Sequence, residues 1–282
     1  IGEAAPAKSY LNQEKILEVM LSSGTDAIHP GYGFLSENDD FARLCEKNKI
    51  NFIGPSADSM NLCGDKMRCK AAMLKAEVPT VPGSPGIVDD AQQAEKIANE
   101  IGYPVLLKSV YGGGGRGIRL VTNDKELNEG FATVTSESIA AVGKSAIIVE
   151  KFLEKTRHIE YQMCRDKHGN AVHLFERECS IQRRNQKLIE QTPSPIVDQA
   201  KREEIGELVV KAAEAVDYTN LGTAEFLRAD NGEFYFIEIN ARLQVEHPIS
   251  EMVSGLDFVK LQLDIANGEP LPFKQSDLKM NG

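Results

Sequence analysis

The sequence has no long apolar run: it contains no stretch of about 18 consecutive apolar residues, which a membrane-spanning helix needs, and no charged and then apolar secretory leader. Basic residues are also in deficit, with 32 Lys and Arg against 42 Asp and Glu and a net charge of -10. General nucleic-acid binding needs a basic surface that neutralises phosphates. We therefore expect a soluble, cytoplasmic protein with no membrane or nucleic-acid partner. If a transit peptide has been removed, the mitochondrial or plastid matrix is the alternative.

Cysteines are few and scattered. The chain has an odd number of them, and they form neither the CxxC pairs of zinc sites nor the framework of a disulfide-rich domain. The five positions are Cys45, Cys63, Cys69, Cys164 and Cys179. We predict reduced, mostly buried thiols. The hydrophobic content, 41% of 282 residues, is sufficient for a buried core in one large or two smaller domains.

Helical and extended patterns alternate at the start of the chain. Predicted helices over 12–22 and 39–47 are each followed by a short apolar strand, over 27–29 and 50–53. This alternation predicts part of a doubly wound, parallel α/β domain over 1–78, including a linker helix.

A cluster of prolines and glycines over 79–86 marks a predicted domain boundary. The following elements predict a small α+β lid over 79–151, which contains a glycine-rich loop. Longer strands then predict an antiparallel α+β body over 152–282.

The glycine-rich loop at 112–117 is a candidate phosphate cradle. Four successive glycines allow close backbone approach to a ligand. The loop is not a Walker loop, because no Gly-Lys-Ser/Thr follows, and not a dinucleotide fingerprint, because a strand follows it. Lys108 and Arg116 place cations next to this backbone, which suits phosphate. The alternative is a flexible surface turn.

Two glutamates on a predicted hairpin form a candidate metal site. With Asp230 and Asn231 at the centre of the turn, Glu225 faces Phe236, and Glu238 lies diagonally from Glu225 on the same face. Two carboxylates so placed are costly without a cation, and Mg²⁺ bound to substrate phosphates would supply one. The alternative is a pair of solvent-facing acids on an edge hairpin.

Polar residues continue beyond Glu238 at steps of two. If the chain stays extended, Asn240, Arg242, Gln244 and Glu246 share one face. A guanidinium binds a planar anion such as bicarbonate through two parallel hydrogen bonds, so we predict an anion site at Arg242 and a general base at Glu246.

Taken together, four stretches resemble the biotin carboxylases of the ATP-grasp superfamily. The stretches are HPGYGFLSEN at 29–38, GGGGRG at 112–117, QRRNQK at 182–187 and EINARLQVEHP at 238–248. The resemblance implies an ATP-grasp fold with a partial parallel N-terminal domain, a glycine-rich lid and an antiparallel body. It also implies that the family domain begins about one βαβ unit before Ile1 and continues past Gly282, where an arginine of the biotin site would lie.

The resemblance implies specific roles for matching residues. ATP would contact Lys66, Lys108, Gly113, Gly114, Gly115, Glu150, Lys151, Leu153, His158, Gln182, Glu225 and Glu238. Metal ions, Mg²⁺ or Mn²⁺, would bind Glu225, Glu238 and Asn240, and bicarbonate would bind Arg242, Gln244, Val245 and Glu246. Glu246, Arg242 and Lys187 would be the catalytic residues, with Glu246 deprotonating bicarbonate.

The implied reaction is the phosphorylation of bicarbonate by ATP, breakdown of carboxyphosphate to CO₂ and phosphate, and carboxylation of a biotin ureido nitrogen. The implied partners are a biotin carboxyl carrier protein or domain, a carboxyltransferase subunit or domain, and a second copy in a homodimer. One departure is Asn185, where the family usually has histidine, and we expect it to weaken ATP binding. Two alternatives stay open: a carbamoyl-phosphate synthetase-type ligase and a nucleotide-binding fragment that does not catalyse.

Overall fold

Two structural units make up the described chain. The computed structural model describes residues 1–110, 117–184 and 186–281. The first unit comprises Ile1–Val78, Arg157–Arg228 and Phe236–Gly282, and the second comprises Pro79–Thr156 and Ala229–Tyr235. Gly113, Gly114, Gly115 and Asn185 lie outside the described residues.

The first unit begins with alternating helices and short strands. Its elements are α1 (Gln13–Ser23), β1 (Ala27–Ile28), α2 (Asp39–Lys47), β2 (Asn51–Phe52), α3 (Ala57–Gly64) and α4 (Lys66–Lys75), after a short 3-10 helix at Pro6–Lys8. Strands β1 and β2 pair in parallel, with Ala27 opposite Asn51. This pairing is the parallel αβ arrangement that the sequence predicts.

Side-chain caps define the starts of α2, α3 and α4. Asn38 Oδ1 accepts a hydrogen bond from Phe41 N at 2.7 Å, and Ser56 Oγ accepts one from Ser59 N at 3.2 Å. Asp65 Oδ1 accepts from Arg68 N at 3.0 Å. Each bond satisfies an amide that has no partner within its own helix. Helix α3 is absent from the sequence-based prediction.

The rest of the first unit is built on a five-stranded sheet. Its strands are β6 (Arg157–Arg165), β7 (Ala171–Arg183), β8 (Gln186–Gln191), β9 (Asn220–Arg228) and β10 (Phe234–Asn240), in the order β10-β9-β6-β7-β8. Strand pairs β6–β7, β6–β9 and β7–β8 are antiparallel. Its helices are α7 (Gln199–Ala215), α8 (His247–Ser254) and α9 (Phe258–Ala266), with a 3-10 turn at Gln275–Asp277.

Aromatic packing marks the apolar face of this sheet. Tyr161 meets Phe226 edge-on at 6.2 Å between ring centroids, and Phe226 meets Phe236 in the same way at 5.8 Å. Helix α7 lies against β6 and β7. Because side chains alternate across a strand, the neighbours of Tyr161 and Phe226 on the same strands point to the other face.

The second unit is a small antiparallel sheet with two helices. Its elements are α5 (Ala91–Ile101), β3 (Val105–Ser109), β4 (Ile118–Val121), α6 (Asp124–Val142) and β5 (Ile147–Lys151), with sheet order β4-β3-β5. Val105, Leu107, Leu127, Ile147 and Val149 are each fully buried in its core.

All five cysteines are buried and free. Burial raises the pKa of the Cys45 thiol to about 11 and that of the Cys69 thiol to about 12. The prediction of reduced, buried thiols is therefore confirmed. Across the described ranges, no helix has both the length and the apolar character that crossing a bilayer requires.

Candidate active site

A row of charged residues crosses the second face of the five-stranded sheet. Glu160 of β6 lies opposite Glu225 of β9 and opposite Arg177 of β7. Residues that are directly opposite in antiparallel strands share a face. All three side chains are buried. The register of three strands therefore brings two carboxylates and a guanidinium together out of solvent.

The Lys187 ammonium joins three carboxylates at this face. Its Nζ contacts Glu160, and it lies 2.9 Å from Glu225 Oε1 and 3.0 Å from Glu246 Oε1. Burial alone would raise the pKa of Glu160, but the positive charges of Arg177 and Lys187 outweigh burial and lower it. Burial alone would lower the pKa of Lys187, but Glu160 and Glu225 raise it. Glu160 and Lys187 are therefore both charged at neutral pH.

His158 extends the cluster along β6. Its Nε2 lies 2.8 Å from Glu225 Oε2, and its Nδ1 lies 3.0 Å from Gln182 Nε2. One ligand atom from each of His158, Glu160 and Glu225 lies within 4.8 Å of the others. Among the described residues, these three form a group with the spacing of metal ligands. Burial opposes ionisation of Glu225, but His158 and Lys187 outweigh it and lower the pKa of this carboxyl.

Glu238 and Asn240 lie on the Glu225 side of the cluster. Asn240 Nδ2 donates to Glu225 Oε1 at 2.8 Å. Burial and then the charge of Glu225 raise the pKa of Glu238, and Lys66 Nζ lies 3.8 Å from Glu238 Oε2. A carboxyl with a raised pKa next to a second carboxylate is stabilised by an added cation. The oxygen ligands of Glu225, Glu238 and Asn240 therefore fit a hard divalent ion such as Mg²⁺.

The hairpin between β9 and β10 differs from the predicted pairing. Gly232 N donates to Ala229 O at 2.9 Å, so the turn is centred on residues 230–231 as predicted. Ala229 N, however, donates to Glu233 O at 2.8 Å, and Gly232 has a φ of 88°. The additional residue shifts the register by one. Phe236 consequently contacts Phe226 on the apolar face, and the predicted pairing of Phe236 with Glu225 is wrong.

The predicted extended row past Asn240 is also wrong in its second half. Strand β10 ends at Asn240, and Glu246 has φ −81° and ψ 2° immediately before α8. Pro248 lies in the first turn of α8, where its fixed φ favours the start of a helix. Val245, in this turn, is 62% exposed. The turn still brings the Glu246 carboxylate to Lys187.

Arg242 is held by residues from both ends of the first unit. Its Nε donates to Glu37 Oε2 at 2.8 Å, and one of its terminal nitrogens donates to Asn240 Oδ1 at 3.2 Å. Glu37 Oε1 also accepts a hydrogen bond from Ala241 N at 3.0 Å. Glu37 therefore fixes both the backbone before Arg242 and the direction of its guanidinium.

Three residues of this site are missing from the sequence-based prediction: Glu160, Arg177 and Glu37. A signal for Glu160 was present, because His158, Glu160 and Gln162 alternate with apolar residues along β6 and so share a face. Glu37 lies within the stretch HPGYGFLSEN at 29–38, but that stretch gave it no role, and no comparable local pattern marks Arg177.

The predicted nucleotide contacts in the second unit have partners of their own. Lys108 Nζ contacts the Glu150 carboxylate across paired strands. Lys151 Nζ donates to Gly102 O and Tyr103 O, both at 2.9 Å. Leu153 is half-buried.

Two family models match the chain in succession. Residues 1–60 match the model described as "Biotin carboxylase, N-terminal domain". Residues 65–274 match "Carbamoyl-phosphate synthase L chain, ATP binding domain".

Similar proteins cover the whole chain. The 2-oxoglutarate carboxylase small subunit of Hydrogenobacter thermophilus is 52% identical over 98% of this chain and 59% of its own length. A biotin carboxylase of Nostoc sp. is 50% identical over 100% of this chain and 63% of its own length. The chain thus spans about three fifths of the length of these relatives.

Solved structures agree with these matches. A Campylobacter jejuni biotin carboxylase in complex with "beta-gamma-ATP" gives a TM-score of 0.91 at 48% identity, covering 100% of this chain and 63% of that one. The Hydrogenobacter thermophilus biotin carboxylase domain dimer, with MgADP, ADP and bicarbonate, gives 0.89 at 51% identity, covering 99% and 62%. The expected ATP-grasp fold is confirmed, and this chain belongs to the biotin carboxylase family.

Proposed function

We propose that this chain carries out the ATP-dependent carboxylation of biotin with bicarbonate, the first half-reaction of a biotin-dependent carboxylase. The observation that carries the proposal is the Lys187 ammonium held among Glu160, Glu225 and Glu246, with the Gln244 amide bonded to Glu160 and Glu225. The related Hydrogenobacter thermophilus domain, which binds MgADP and bicarbonate, supports this choice of substrates.

Nucleotide and metal are assigned to the following residues. For ATP, the first unit offers Lys66, His158, Gln182, Glu225 and Glu238, and the second offers Lys108, Gly113, Gly114, Gly115, Glu150, Lys151 and Leu153. Mg²⁺ or Mn²⁺ would be held by Glu225, Glu238 and Asn240 and would neutralise charge on the phosphates. We propose the second unit as the lid and the sheet of the first unit as the body.

The bicarbonate site is assigned to Arg242, Gln244, Val245 and Glu246. Arg242 offers a guanidinium that Glu37 already orients. Glu246 would accept the bicarbonate proton, and the contact of its Oε1 with Lys187 keeps its carboxylate directed into the cluster. Lys187 would then stabilise negative charge on bicarbonate and on the transferred phosphoryl group, since phosphoryl transfer depends mainly on positioning and charge neutralisation.

The proposed reaction has three steps. An oxygen of deprotonated bicarbonate attacks the γ-phosphorus of ATP, which forms carboxyphosphate as the bond to ADP breaks. Carboxyphosphate then breaks its C–O bond to give CO₂ and phosphate. Phosphate takes the proton from the biotin ureido nitrogen, and that nitrogen forms a bond to the carbon of CO₂.

The proposed partners follow from this half-reaction. Biotin would arrive on a carboxyl carrier protein or domain, and a carboxyltransferase subunit or domain would pass the carboxyl group to an acceptor such as acetyl-CoA, propionyl-CoA or pyruvate. We also propose a homodimer, since the Hydrogenobacter thermophilus domain is described as a dimer. The proposed location is the cytoplasm.

The decisive experiment measures ADP formation with and without bicarbonate, and then with added free biotin. The protein should contain whatever residues flank this chain in nature. We expect ADP formation to require bicarbonate and to rise with biotin. Binding of MgATP in calorimetry without turnover under any of these conditions would overturn the proposal in favour of a nucleotide-binding module.

A carbamoyl-phosphate synthetase-type ligase is the second candidate, because the family model matched by residues 65–274 bears that name. Adding ammonia in place of biotin separates the two. Ammonia-dependent formation of carbamoyl phosphate would support the second candidate, and biotin-dependent turnover would support the first. The match of residues 1–60 to a biotin carboxylase domain favours the first.

A further inference from the structure

We propose that Arg177 is a positioning residue for bicarbonate: from beneath the site, it holds the Gln244 amide so that the NH₂ group of Gln244 is directed toward the bound anion. This inference rests on the proposed function, in which Gln244 is part of the bicarbonate site. Arg177 is fully buried and was assigned no role by the sequence.

Every donor of the Arg177 guanidinium is engaged. A guanidinium has five N–H donors and no acceptor. Nε donates to Glu160 Oε1 at 2.7 Å, one terminal nitrogen donates to Gln162 Oε1 at 3.0 Å and Ser250 Oγ at 2.9 Å, and the other donates to Thr223 Oγ1 at 3.2 Å and to Gln244 Oε1. With all donors used on β6, β9, α8 and the segment between β10 and α8, the group cannot rotate without losing several bonds at once.

The bond to Gln244 determines which end of its amide is directed into the site. Because Arg177 can only donate, Gln244 must present Oε1 to it, and Nε2 must point the other way. Nε2 there donates to Glu160 Oε2 at 3.2 Å and to Glu225 Oε1 at 3.3 Å. A flipped amide would place its oxygen against two carboxylates and its NH₂ group against the guanidinium. The NH₂ group of Gln244 therefore faces the carboxylate side of the site, where bicarbonate is proposed to bind.

Glu160 is positioned by the same guanidinium. Arg177 donates to Oε1 of this carboxylate, so Oε2 accepts the hydrogen bonds from Lys187 Nζ and Gln244 Nε2. Burial opposes ionisation of Arg177, but the charge of Glu160 outweighs burial and raises its pKa. Arg177 therefore acts on bicarbonate through two other side chains and contacts no substrate itself.

The test is Arg177→Lys, which keeps the charge but removes the planar donor set. Steady-state kinetics should show KM for bicarbonate raised about tenfold or more, as expected when a charge-assisted hydrogen bond is lost, with KM for ATP within about twofold. An unchanged KM for bicarbonate, or an equal rise in both KM values, would overturn the proposal. If the unmodified protein shows no bicarbonate-dependent turnover, it is the proposed function that fails.

Arg202→Lys is the matched control. Arg202 of α7 is also a largely buried arginine bound to a buried glutamate, with its Nε 2.7 Å from Glu176 Oε2 and a terminal nitrogen 2.8 Å from Glu176 Oε1. Both lysine variants should lose stability in urea unfolding. Only Arg177→Lys should raise KM for bicarbonate. An equal rise in the Arg202 variant would show that lost stability, and not positioning, is responsible.

A milder variant covers the case in which Arg177→Lys does not fold. Thr223→Val keeps the shape of the side chain and removes an acceptor of the same terminal nitrogen of Arg177 that donates to Gln244 Oε1. We expect a rise in KM for bicarbonate of about threefold with no matching rise for ATP, because one neutral hydrogen bond is lost. A folded Thr223→Val protein with wild-type KM for bicarbonate would then overturn the proposal.

Discussion

Glu160 and Glu225 lie directly opposite each other on β6 and β9, and both of their carboxylates contact the ammonium of Lys187. Two buried carboxylates at this spacing would repel each other, and one would be driven to take up a proton. The ammonium prevents this, so the pair stays ionised at a place where a metal ion and an anionic substrate are proposed to bind.

Replacing Lys187 should therefore lower stability in a pH-dependent way. Lys187→Met leaves buried carboxylates without their cation, and we expect a loss of about 3 kcal/mol or more in the free energy of unfolding at pH 7. In the folded protein the pKa of Glu160 lies below its ordinary value of 4.5, so the ionised carboxylate stabilises the fold above pH 4.5. This stabilisation is lost as the pH falls below 4.5. The difference in unfolding free energy between wild type and variant, measured by urea titration, should consequently become smaller below pH 4.5.

Lys201→Met provides the comparison for this variant. Lys201 pairs with Glu204 on the surface of α7, where the two side chains are 35% and 60% exposed. Surface ion pairs contribute about 1 kcal/mol or less. A Lys187→Met protein that unfolds like Lys201→Met, with the same pH profile, would contradict the stabilising role assigned to the buried ammonium.

Glu238→Gln should reduce turnover more than nucleotide binding. The metal charge that this carboxylate would hold is needed most in the transition state of phosphoryl transfer. We expect kcat to fall about a hundredfold or more and the Kd of MgATP to rise less than about tenfold. Turnover assays and calorimetry measure the two quantities, and Glu233→Gln, in the exposed turn of the same hairpin, should change neither. Equal losses in kcat and binding would speak against the assigned role.

Acid should destabilise the protein through His173. Burial lowers the pKa of this imidazole from 6.5 to about 4, so the folded state favours the neutral ring. In the unfolded chain the same imidazole takes up its proton near pH 6.5. The neutral ring therefore contributes its full stability above pH 6.5, and this contribution is lost as the pH falls toward 4. We expect a contribution of roughly 3 kcal/mol. His173→Leu should flatten the slope of unfolding free energy between these pH values, and an unaltered slope would count against the prediction.

Gly206 of α7 should not tolerate alanine. A Cβ at this position would lie 2.2 Å from Nε2 of the buried His173 ring. We expect Gly206→Ala to cost about 1–3 kcal/mol, because a well-packed interior resists an added methyl group. Gly64→Ala, at the end of α3, is the control, since a Cβ there has nothing within 4 Å. Thermal unfolding measures the melting temperatures of the two variants, and that of Gly206→Ala should be the lower. Equal melting temperatures would contradict the expected clash.

Local signals were sufficient for several elements. Helix α2 begins and ends where the sequence predicts, because Asn38 caps it and apolar residues recur at helical spacing. Helix α3 was missed because its eight residues are too short for a clear period. The extended conformation expected up to Glu246 failed because Pro248 starts α8.

The sequence by itself determined the alternation of elements, the caps, and the motifs that mark Arg242 and Glu246, since each depends on residues within a few positions of one another. Only the tertiary structure decided that Arg177 lies beneath Gln244, 67 positions later, and that Lys187 joins Glu160, Glu225 and Glu246. The register of β6, β7 and β9 brings these groups together. Burial then makes their pairing obligatory, because a charge removed from water must find a partner within the fold.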